Sequence, residues 1–271
     1  GAAVRIAMTV AAAGALPGAL YIVTREPRGD ADGRNVELSG QIGKIHANLR
    51  IGADVAGAKA LRANEQISSP GVKLHGAGFI VTPAEARALG LGTQPGLEAH
   101  IRPYRNGRDL TGRSRGAMVI DLYGLSESDV RARYPAVYQM LFDRVRPERD
   151  AKSSASPDSA QYAREWWLHG KTRPSLRLAL RGLNRYVATV ETTKHRTFQF
   201  LDARILPDNM ITVFALDDAA DLAVLSSRIH VAWVLKAGGT LEDRPRYNKS
   251  VCFDPFPFPN TSQVQRTWLR A

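Results

Sequence analysis

Short strand-like runs alternate with helical stretches along the chain, and there is no internal repeat and no heptad run. This pattern does not fit a solenoid or a coiled coil and predicts a mixed α/β (α+β) fold. Strands are predicted at residues 4–10, 19–24, 42–49, 72–81, 117–123, 186–190, 197–201 and 210–215. Helices are predicted at residues 56–63, 83–89, over about twenty residues from Ser126, and at 174–183 and 218–237.

The C-terminal part has the clearest pattern. The helix at 218–237 begins at Asp218, ends before Gly238 and repeats apolar residues at helical spacing. It is followed by an extended apolar strap rich in proline at 253–259. Residues 152–160, rich in Ser and Ala, have the composition of a linker.

The charge balance is strongly basic. Of the 271 residues, 37 are Lys or Arg and 26 are Asp or Glu, so the formal net charge is +11. This excess predicts a polyanionic partner, nucleic acid first and an anionic membrane surface second. Residues 6–23 are uncharged, but Pro17 and Gly18 interrupt them, which favours two strands over a spanning helix or a signal peptide. We therefore predict no membrane partner. The lone cysteine, Cys252, excludes an internal disulfide and a Cys-cluster zinc site and fits a reducing, cytoplasmic location.

One basic cluster lies at residues 101–116, which hold five arginines and a single acid, Asp109, among Gly, Asn, Ser and Thr. Arg and Asn on exposed turns bind phosphates or the edges of guanine and adenine. From this cluster we predict Arg102, Arg105 and Arg108 as phosphate or base contacts and Asn106 as a base-reading residue. The alternative is a solvated face with local ion pairs.

A second basic region covers residues 164–204, with nine Lys or Arg against three acids. We predict Lys171, Arg173 and Arg185 as further phosphate or base contacts. Two strand-like runs in this region are joined by a basic loop, and a loop of this kind fits a DNA groove. Its residues Lys194, His195 and Arg196 are predicted to read bases, although an exposed hairpin tip that only aids solubility has the same composition.

No catalytic or metal-ligating set is evident. The sequence lacks a Gly-rich phosphate loop, a His pair at helical spacing and a nucleophile elbow. Asp208 with Glu191 and Lys194 resembles a nuclease carboxylate–lysine arrangement only weakly. The adjacent Trp166 and Trp167 favour core anchoring over stacking on bases. We therefore predict no catalytic residue, no metal site and no bound cofactor in this chain.

Five stretches form a further pattern, in this order: residues 74–81 (LHGAGFIV), 104–110 (YRNGRDL), 194–202 (KHRTFQFLD), 224–233 (VLSSRIHVAW) and 252–259 (CFDPFPFP). Together they resemble the C-terminal part of the large, single-chain DNA methyltransferases of the type IIG/IIL restriction–modification class. The resemblance implies an irregular mixed-sheet target-recognition domain with a C-terminal helix and proline strap. It also implies sequence-specific binding of double-stranded DNA for an S-adenosylmethionine-dependent adenine-N6 DNA methyltransferase.

The two motifs that hold S-adenosylmethionine and the flipped adenine in such enzymes are missing, since Asp254-Pro255-Phe256 does not match the adenine motif. The resemblance therefore implies that the chain alone is inactive. The cofactor and a methyltransferase core would belong to the full-length protein. The apolar start of the chain agrees with this expectation. Residues 1–40 would be the last strands of that core, 41–205 the target-recognition domain, and 206–271 the closing strand, helix and strap.

Two other classes of function stay open from the residues alone. The chain would be a nuclease or other hydrolase if an active site of unfamiliar spacing were present. It would be a protein-interaction module if its charge served only solubility. Steep salt dependence of DNA binding separates a phosphate-contacting protein from such a module.

Overall fold

The computed structural model describes residues 8–11, 13–14, 16–25, 36–46, 49–55, 57–241 and 244–270. The chain divides into two compact units, Gly1–Ala58 and Lys59–Ala271. In the first unit, strands β1 (Gly18–Arg25) and β2 (Glu37–Gly43) pair antiparallel. β1 confirms the strand predicted at 19–24, whereas β2 ends where the strand predicted at 42–49 begins. The strand predicted at 4–10 falls largely outside the described residues.

The second unit contains the remaining strands and all the helices described. The strands are β3 (Ser68–Pro70), β4 (Ile80–Val81), β5 (Ile101–Arg105), β6 (Met118–Ile120), β7 (Arg185–Val190), β8 (Gln199–Asp202), β9 (Leu206–Pro207), β10 (Ile211–Phe214), β11 (Gly239–Leu241) and β12 (Arg244–Arg246). The first helices are α1 (Pro83–Ala88), α2 (Gly107–Thr111), α3 (Glu127–Arg133), α4 (Pro135–Arg144), α5 (Arg146–Ala151) and α6 (Pro157–Arg164). They are followed by α7 (Pro174–Ala179), α8 (Ala219–Ser226), α9 (Arg228–Ala237), α10 (Lys249–Cys252) and α11 (Gln263–Arg270).

Two four-stranded sheets organise this unit. The first has the strand order β3-β10-β7-β8 with antiparallel neighbours throughout. The second has the order β4-β6-β5-β9, in which β5 and β9 are parallel and the other neighbours antiparallel. A short antiparallel pair, β11 and β12, forms a separate sheet, and Arg246 of β12 bridges to Thr192 in the segment after β7. Mixed pairing on several small sheets agrees with the predicted irregular α/β fold.

The first sheet is buried on both faces. On one face Val187 and Phe214 pack with Leu225 of α8, Val234 of α9 and the buried Cys252. On the other face the alternate residues of the same strands pack against α7. This period-two alternation is what places successive side chains in different layers. Phe253 and Phe256 of the predicted strap are buried, and the strap packs into the layer that contains α8 and α9.

The second sheet packs against α1, α3 and α4 in the largest apolar cluster. Trp166 is 3% exposed in this cluster, and Trp167 donates from Nε1 to the carbonyl of Leu125 at 3.0 Å. The tryptophan pair therefore anchors the core, as predicted.

Two helices predicted as single elements are interrupted. The helix predicted from Ser126 consists of α3, α4 and α5, with breaks at Tyr134 and Val145, each followed by proline within two residues. The helix predicted at 218–237 consists of α8 and α9, because Ser227 is extended and its hydroxyl accepts from the amide of His230 at 3.2 Å. Proline and an internal serine cap therefore override helical periodicity here.

Other boundaries also differ from those predicted. Residues 72–81 form no continuous strand, because His75 and Gly76 have φ of 51° and 137°. The predicted linker is partly helical, since Ser156 caps α6. In place of the helix predicted at 56–63 the structure shows a single 3-10 turn, Arg62–Asn64. The predicted domain boundaries at residues 40 and 205 depend on the resemblance to DNA methyltransferases and stay predictions.

Arg149 ties several segments together. It is 4% exposed, and its guanidinium donates to six backbone carbonyls at 2.7–3.4 Å. These carbonyls belong to Leu74, His75, Tyr162, Glu165, Trp166 and Leu168. Burial lowers the pKa of Arg149 to about 10, so the group remains a cation at neutral pH. A buried charge without a carboxylate partner is tolerated because carbonyl dipoles replace its hydration.

Within the part of the chain that the structure describes, no helix combines the length and the apolar character that crossing a bilayer requires.

Candidate nucleic-acid interface

The first basic cluster forms a strand followed by a short capped helix. β5 ends at Arg105, and Asn106 caps α2 by accepting from the amides of Arg108 at 3.0 Å and Asp109 at 3.3 Å. Asp109 in turn accepts from the amide of Asn106 at 2.9 Å and pairs with Arg115 at 2.8 Å. Burial alone would raise the pKa of Asp109, but these hydrogen bonds outweigh burial and hold it below its usual range. The arrangement fixes the backbone of the first turn of α2, which carries Arg108.

Gly107 allows α2 to approach β7. A Cβ atom at this position would lie 2.9 Å from Cγ1 of Val190, closer than carbon atoms normally pack. The first turn of α2 can therefore sit directly against the end of β7, where the second basic loop begins.

Hydrogen bonds of Arg196 fix the basic loop after β7. Its guanidinium donates to the carbonyl of Val190, to Oγ1 of Thr189 at 3.1 Å and to the carbonyl of Pro245 at 3.0 Å. It also lies 5.2 Å from the ring centre of Tyr247. Burial lowers the pKa of Arg196. With Arg196 fixed in this way, Lys194 and the adjacent His195 remain exposed at the tip of the loop.

These two segments meet in a cleft of about 400 Å³, which we name the α2 cleft. It is lined by residues of the α2 N-terminus, the 192–194 loop and the turn before β10, including Asn106, Arg108, Thr193, Lys194, Asp208 and Met210. Arg108 and Lys194 make no side-chain hydrogen bond or ion pair with another described residue. The cleft thus presents two unpaired cations, Arg108 and Lys194. Its lining also includes the polar side chains of Asn106 and Thr193 and the carboxylate of Asp208.

Asp208 is the acid of the α2 cleft. Its Oδ2 accepts from the Tyr104 hydroxyl at 2.6 Å, and its Oδ1 accepts from the amide of Met210 at 2.9 Å. Burial, and then the bond to Asp208, raise the pKa of Tyr104, so this hydroxyl stays a donor. Of the weak nuclease arrangement, Lys194 and Asp208 line the same cleft, whereas Glu191 pairs with Arg246 at 2.6 Å. Within the described residues no three or more His, Cys, Asp or Glu side chains are grouped to hold a metal ion.

Arg102 lies away from the α2 cleft. Its guanidinium donates to the carbonyls of Ala203 at 2.8 Å and Arg204 at 3.0 Å, and lies 3.7 Å from Asp121. Burial is the largest influence on Arg102 and lowers its pKa. Arg105 donates from Nη1 to the carbonyl of Tyr104 at 2.9 Å.

The remaining predicted contacts are also engaged within the protein. Lys171 pairs with Asp158 at 2.8 Å. Arg173 donates to the carbonyl of Gly71 at 3.0 Å. Arg185 donates to the carbonyl of Asp217 at 3.0 Å and lies over a phenylalanine ring, that of Phe200, at 3.8 Å. The structure therefore brings together Asn106, Arg108 and Lys194, with His195 and Arg196 on the same loop. Arg105 adjoins the cleft through its backbone, because its carbonyl accepts from the amide of Asp208 at 2.8 Å, and the other four residues lie outside the lining. The roles of all ten residues stay predictions.

Sequence reasoning missed the contribution of the turn at 208–210. In the sequence Asp208 is singled out only by the weak nuclease-like arrangement, and Met210 only as the first residue of a predicted strand. Their place in the cleft follows from the parallel pairing of β5 with β9, which sets Arg105 beside Pro207. A pairing between residues a hundred positions apart leaves no local signal in the sequence.

Comparisons with known proteins agree with this architecture. The family model of the MmeI target recognition domain matches residues 57–260. No curated protein matches the chain. Among solved structures, the chain is similar to the type IIL restriction–modification enzyme MmeI in complex with DNA, with a TM-score of 0.64 and 20% sequence identity. The match covers 85% of this chain and 30% of that chain, so this chain spans less than a third of that enzyme's length.

The structural match confirms the predicted mixed α/β fold, and the family model covers well over half of the chain. All five motifs that resemble type IIG/IIL enzymes lie within the matched residues. The chain belongs to the MmeI target recognition domain family.

Proposed function

We propose that this chain recognises a specific sequence of double-stranded DNA as the target-recognition part of a restriction–modification enzyme. The observation that supports the proposal most directly is the α2 cleft, where two basic segments far apart in the sequence contribute Arg108 and Lys194 to one lining. Membership of the MmeI target recognition domain family and the formal net charge of +11 support it.

The chemistry of the cleft suits a DNA groove. Arg108 offers a forked donor for a phosphate or for O6 and N7 of guanine, and Lys194 offers a point charge. Asp208 would repel a phosphate but can accept from the amino group of a cytosine or adenine. A carboxylate between cations therefore favours contact with base edges over contact with the backbone alone.

The chemical step belongs, in this proposal, to a methyltransferase core of the full-length protein. That core would bind S-adenosylmethionine and transfer its methyl group to N6 of an adenine. The resemblance of five motifs to type IIG/IIL enzymes supports this, and so does the lack of cofactor and adenine motifs in the present sequence. A cytoplasmic location is part of the same proposal. Methyl transfer from labelled S-adenosylmethionine to DNA by the full-length protein, and none by the 271-residue chain, is the expected result.

DNA binding is tested by fluorescence anisotropy of the 271-residue chain with mixed-sequence duplexes over a salt series. We expect log K to fall steeply and linearly with log salt, because several phosphates are neutralised. Selection from a random duplex library should then yield a short preferred site. Arg108→Ala and Lys194→Ala should weaken binding. Loss of a contact that reads a base should reduce the discrimination between bases at one position of the site by about 1–3 kcal/mol.

The matched control is Lys236→Ala, which removes one exposed charge of α9 outside the cleft. Binding that is insensitive to salt, or Arg108→Ala and Lys194→Ala proteins that bind every duplex as the control does, would refute the assignment of the α2 cleft.

A further inference from the structure

A second cavity, of about 440 Å³, lies beside His75 and shares no lining residue with the α2 cleft. We name it the His75 cavity. It is lined by side chains of opposite charge and by hydroxyls, among them His75, Glu148, Lys152, Ser156, Asp158 and Tyr162. Neither the predicted contacts nor the proposed function accounts for it.

His75 is held in an unfavourable backbone conformation. Its φ is 51°, in the left-handed region that non-glycine residues adopt uncommonly, although His does so more often than most, as do Asn and Asp. The imidazole ring stacks on Tyr162, with centroids 4.6 Å apart. A Cβ atom on Gly170 would lie 2.3 Å from the ring, so only glycine there leaves room for it. Strain that is retained in this way is typical of functional sites.

The imidazole of His75 is also unpartnered. Neither of its nitrogens forms a hydrogen bond with any residue in the described ranges, although the ring is only partly exposed. Its two donor or acceptor positions are therefore available to a ligand in the cavity.

Cations outnumber carboxylates around this ring. Lys73 and Lys171 are directly opposite on an antiparallel bridge, where each amide donates to the other's carbonyl at 3.1 and 3.0 Å. Like charges in this position repel. Lys171 pairs with Asp158 at 2.8 Å, whereas Lys73 is exposed and pairs with no described residue. An anionic ligand would relieve the repulsion.

The other charges of the cavity are balanced in part. Lys152 pairs with Glu148 at 2.7 Å. Arg149 donates only to carbonyls and keeps its full positive charge. The cations Arg149 and Lys152 therefore line the cavity together with the acids Glu148 and Asp158. Lys73 and Lys171 are not lining residues, and Lys73 of their bridge lies two residues before His75 in the chain.

We propose that Lys73 and His75 bind a phosphate of the DNA backbone at a second place, outside the α2 cleft. The proposal rests on the proposed function, because it takes DNA as the source of the phosphate. It adds a contact that carries affinity and orientation but no sequence information.

The contact is linked to a proton. His75 is faced by Lys73, Lys171, Arg149 and Lys152, by the acids Asp158 and Glu148, and by Tyr162. Burial, and then the neighbouring cations, lower the pKa of His75 in the free protein. A bound phosphate opposes the cations and raises this pKa, so binding takes up a proton. DNA affinity should therefore increase as the pH falls from about 8 to about 6.

The test compares Lys73→Ala and His75→Asn with Lys236→Ala in the anisotropy assay on the 271-residue chain. Asparagine is chosen because it tolerates the left-handed conformation. Lys73→Ala should reduce the slope of log K against log salt by about 0.9, which corresponds to about eightfold weaker binding at 0.1 M salt. The loss should be equal on preferred and random duplexes. His75→Asn should reduce the pH dependence between 6 and 8 relative to the wild-type chain, and thermal melting checks that both variants are folded.

The outcomes separate this inference from the proposed function. If the wild-type chain binds DNA and Arg108→Ala weakens it, but Lys73→Ala and His75→Asn match Lys236→Ala, this inference is overturned and the function stands. If the wild-type chain does not bind DNA, both fall. A third arm follows the C2 proton of His75 by NMR. A shift with duplex DNA and none with millimolar inorganic phosphate supports a backbone contact, whereas saturation by inorganic phosphate alone overturns DNA as the source.

Discussion

We predict that the ion pair of Arg177 with Asp121 makes the largest single electrostatic contribution to the stability of the second unit. Asp121 is 3% exposed, and both its oxygens accept from the Arg177 guanidinium, at 2.7 and 2.8 Å. Its other basic neighbours are more distant: Arg102 at 3.7 Å and Nδ1 of His169, whose pKa burial lowers, at 3.9 Å. Burial alone would raise the pKa of Asp121, but Arg177, with His169 and Arg102, outweighs it and lowers this pKa.

Arg177→Ala leaves the carboxylate buried with only those two distant partners. Breaking a buried ion pair costs about 3–5 kcal/mol, and we expect the lower half of this range because Arg102 remains. Urea unfolding at pH 7, followed by tryptophan fluorescence, measures the loss, since all four tryptophans lie in the second unit. Arg181→Ala, an exposed arginine in the same segment, should change the free energy of unfolding by less than about 0.5 kcal/mol.

The pH dependence gives an independent check. Because the pKa of Asp121 is lower in the folded state, its contribution is present above the unfolded pKa of about 3.8 and is lost as the pH falls below it. The difference between wild type and Arg177→Ala should therefore shrink in acid. The double variant Asp121→Ala/Arg177→Ala should be at least as stable as Arg177→Ala, because no charge is stranded. A loss no greater than that of Arg181→Ala at pH 7 would refute this reasoning.

Three further perturbations have defined outcomes. Gly107→Ala places a Cβ atom 2.9 Å from Val190. The substitution should lower the free energy of unfolding in urea by about 1–3 kcal/mol and weaken DNA binding. Wild-type behaviour in both assays would contradict the packing of α2 against β7. Asn106→Ser keeps a helix cap but removes the amide; unchanged stability with altered site preference is expected, and unchanged preference would remove Asn106 from the base-reading set. Burial lowers the pKa of His230 to about 4, so the free energy of unfolding should fall by on the order of 3 kcal/mol as the pH decreases from 6.5 to 4. His230→Gln should flatten this part of the profile, and an equal decrease in the variant would exclude His230 as its cause.

The sequence predicts those elements whose signals are local. The helix predicted at 83–89 is found as α1, where Thr82 and Glu85 form a full capping box. The strand at 186–190 and the strand at 210–215 are both found, as β7 and β10, because their residues are apolar on both faces of a buried sheet. The cap of α8 by Asp218 is likewise correct.

The errors occur where local and periodic signals compete. Ser227 lies in a strongly helical pattern, yet its hydroxyl accepts a hydrogen bond from the amide of His230 and caps a new helix. The Gly-containing run at 72–81 has the composition of a strand, but Arg149 draws the carbonyls of Leu74 and His75 toward itself. That interaction crosses about seventy positions of sequence, and no window of ten to twenty residues contains it.

The candidate site could be predicted only in part for the same reason. Charge and turn composition identify Asn106, Arg108 and Lys194. They do not distinguish these residues from Arg102 or Arg185, whose guanidinium groups bind carbonyls of the protein itself. An arginine used for structure and one exposed to a partner have the same local surroundings in sequence, and tertiary contacts decide between them.

The carbonyl shell around Arg149 has a consequence for how relatives of this chain can diverge. Every residue type supplies the same backbone oxygen, so the six residues that surround the guanidinium can change identity while the shell persists. The carbonyl shell itself therefore places a side-chain requirement on position 149 alone, as it would for a structural metal ion whose ligands were all main-chain atoms. Leu74 and Trp166 are constrained for a different reason, because their side chains pack in the core. We therefore expect exposed positions of the shell, such as Glu165, to vary among proteins that retain this arginine.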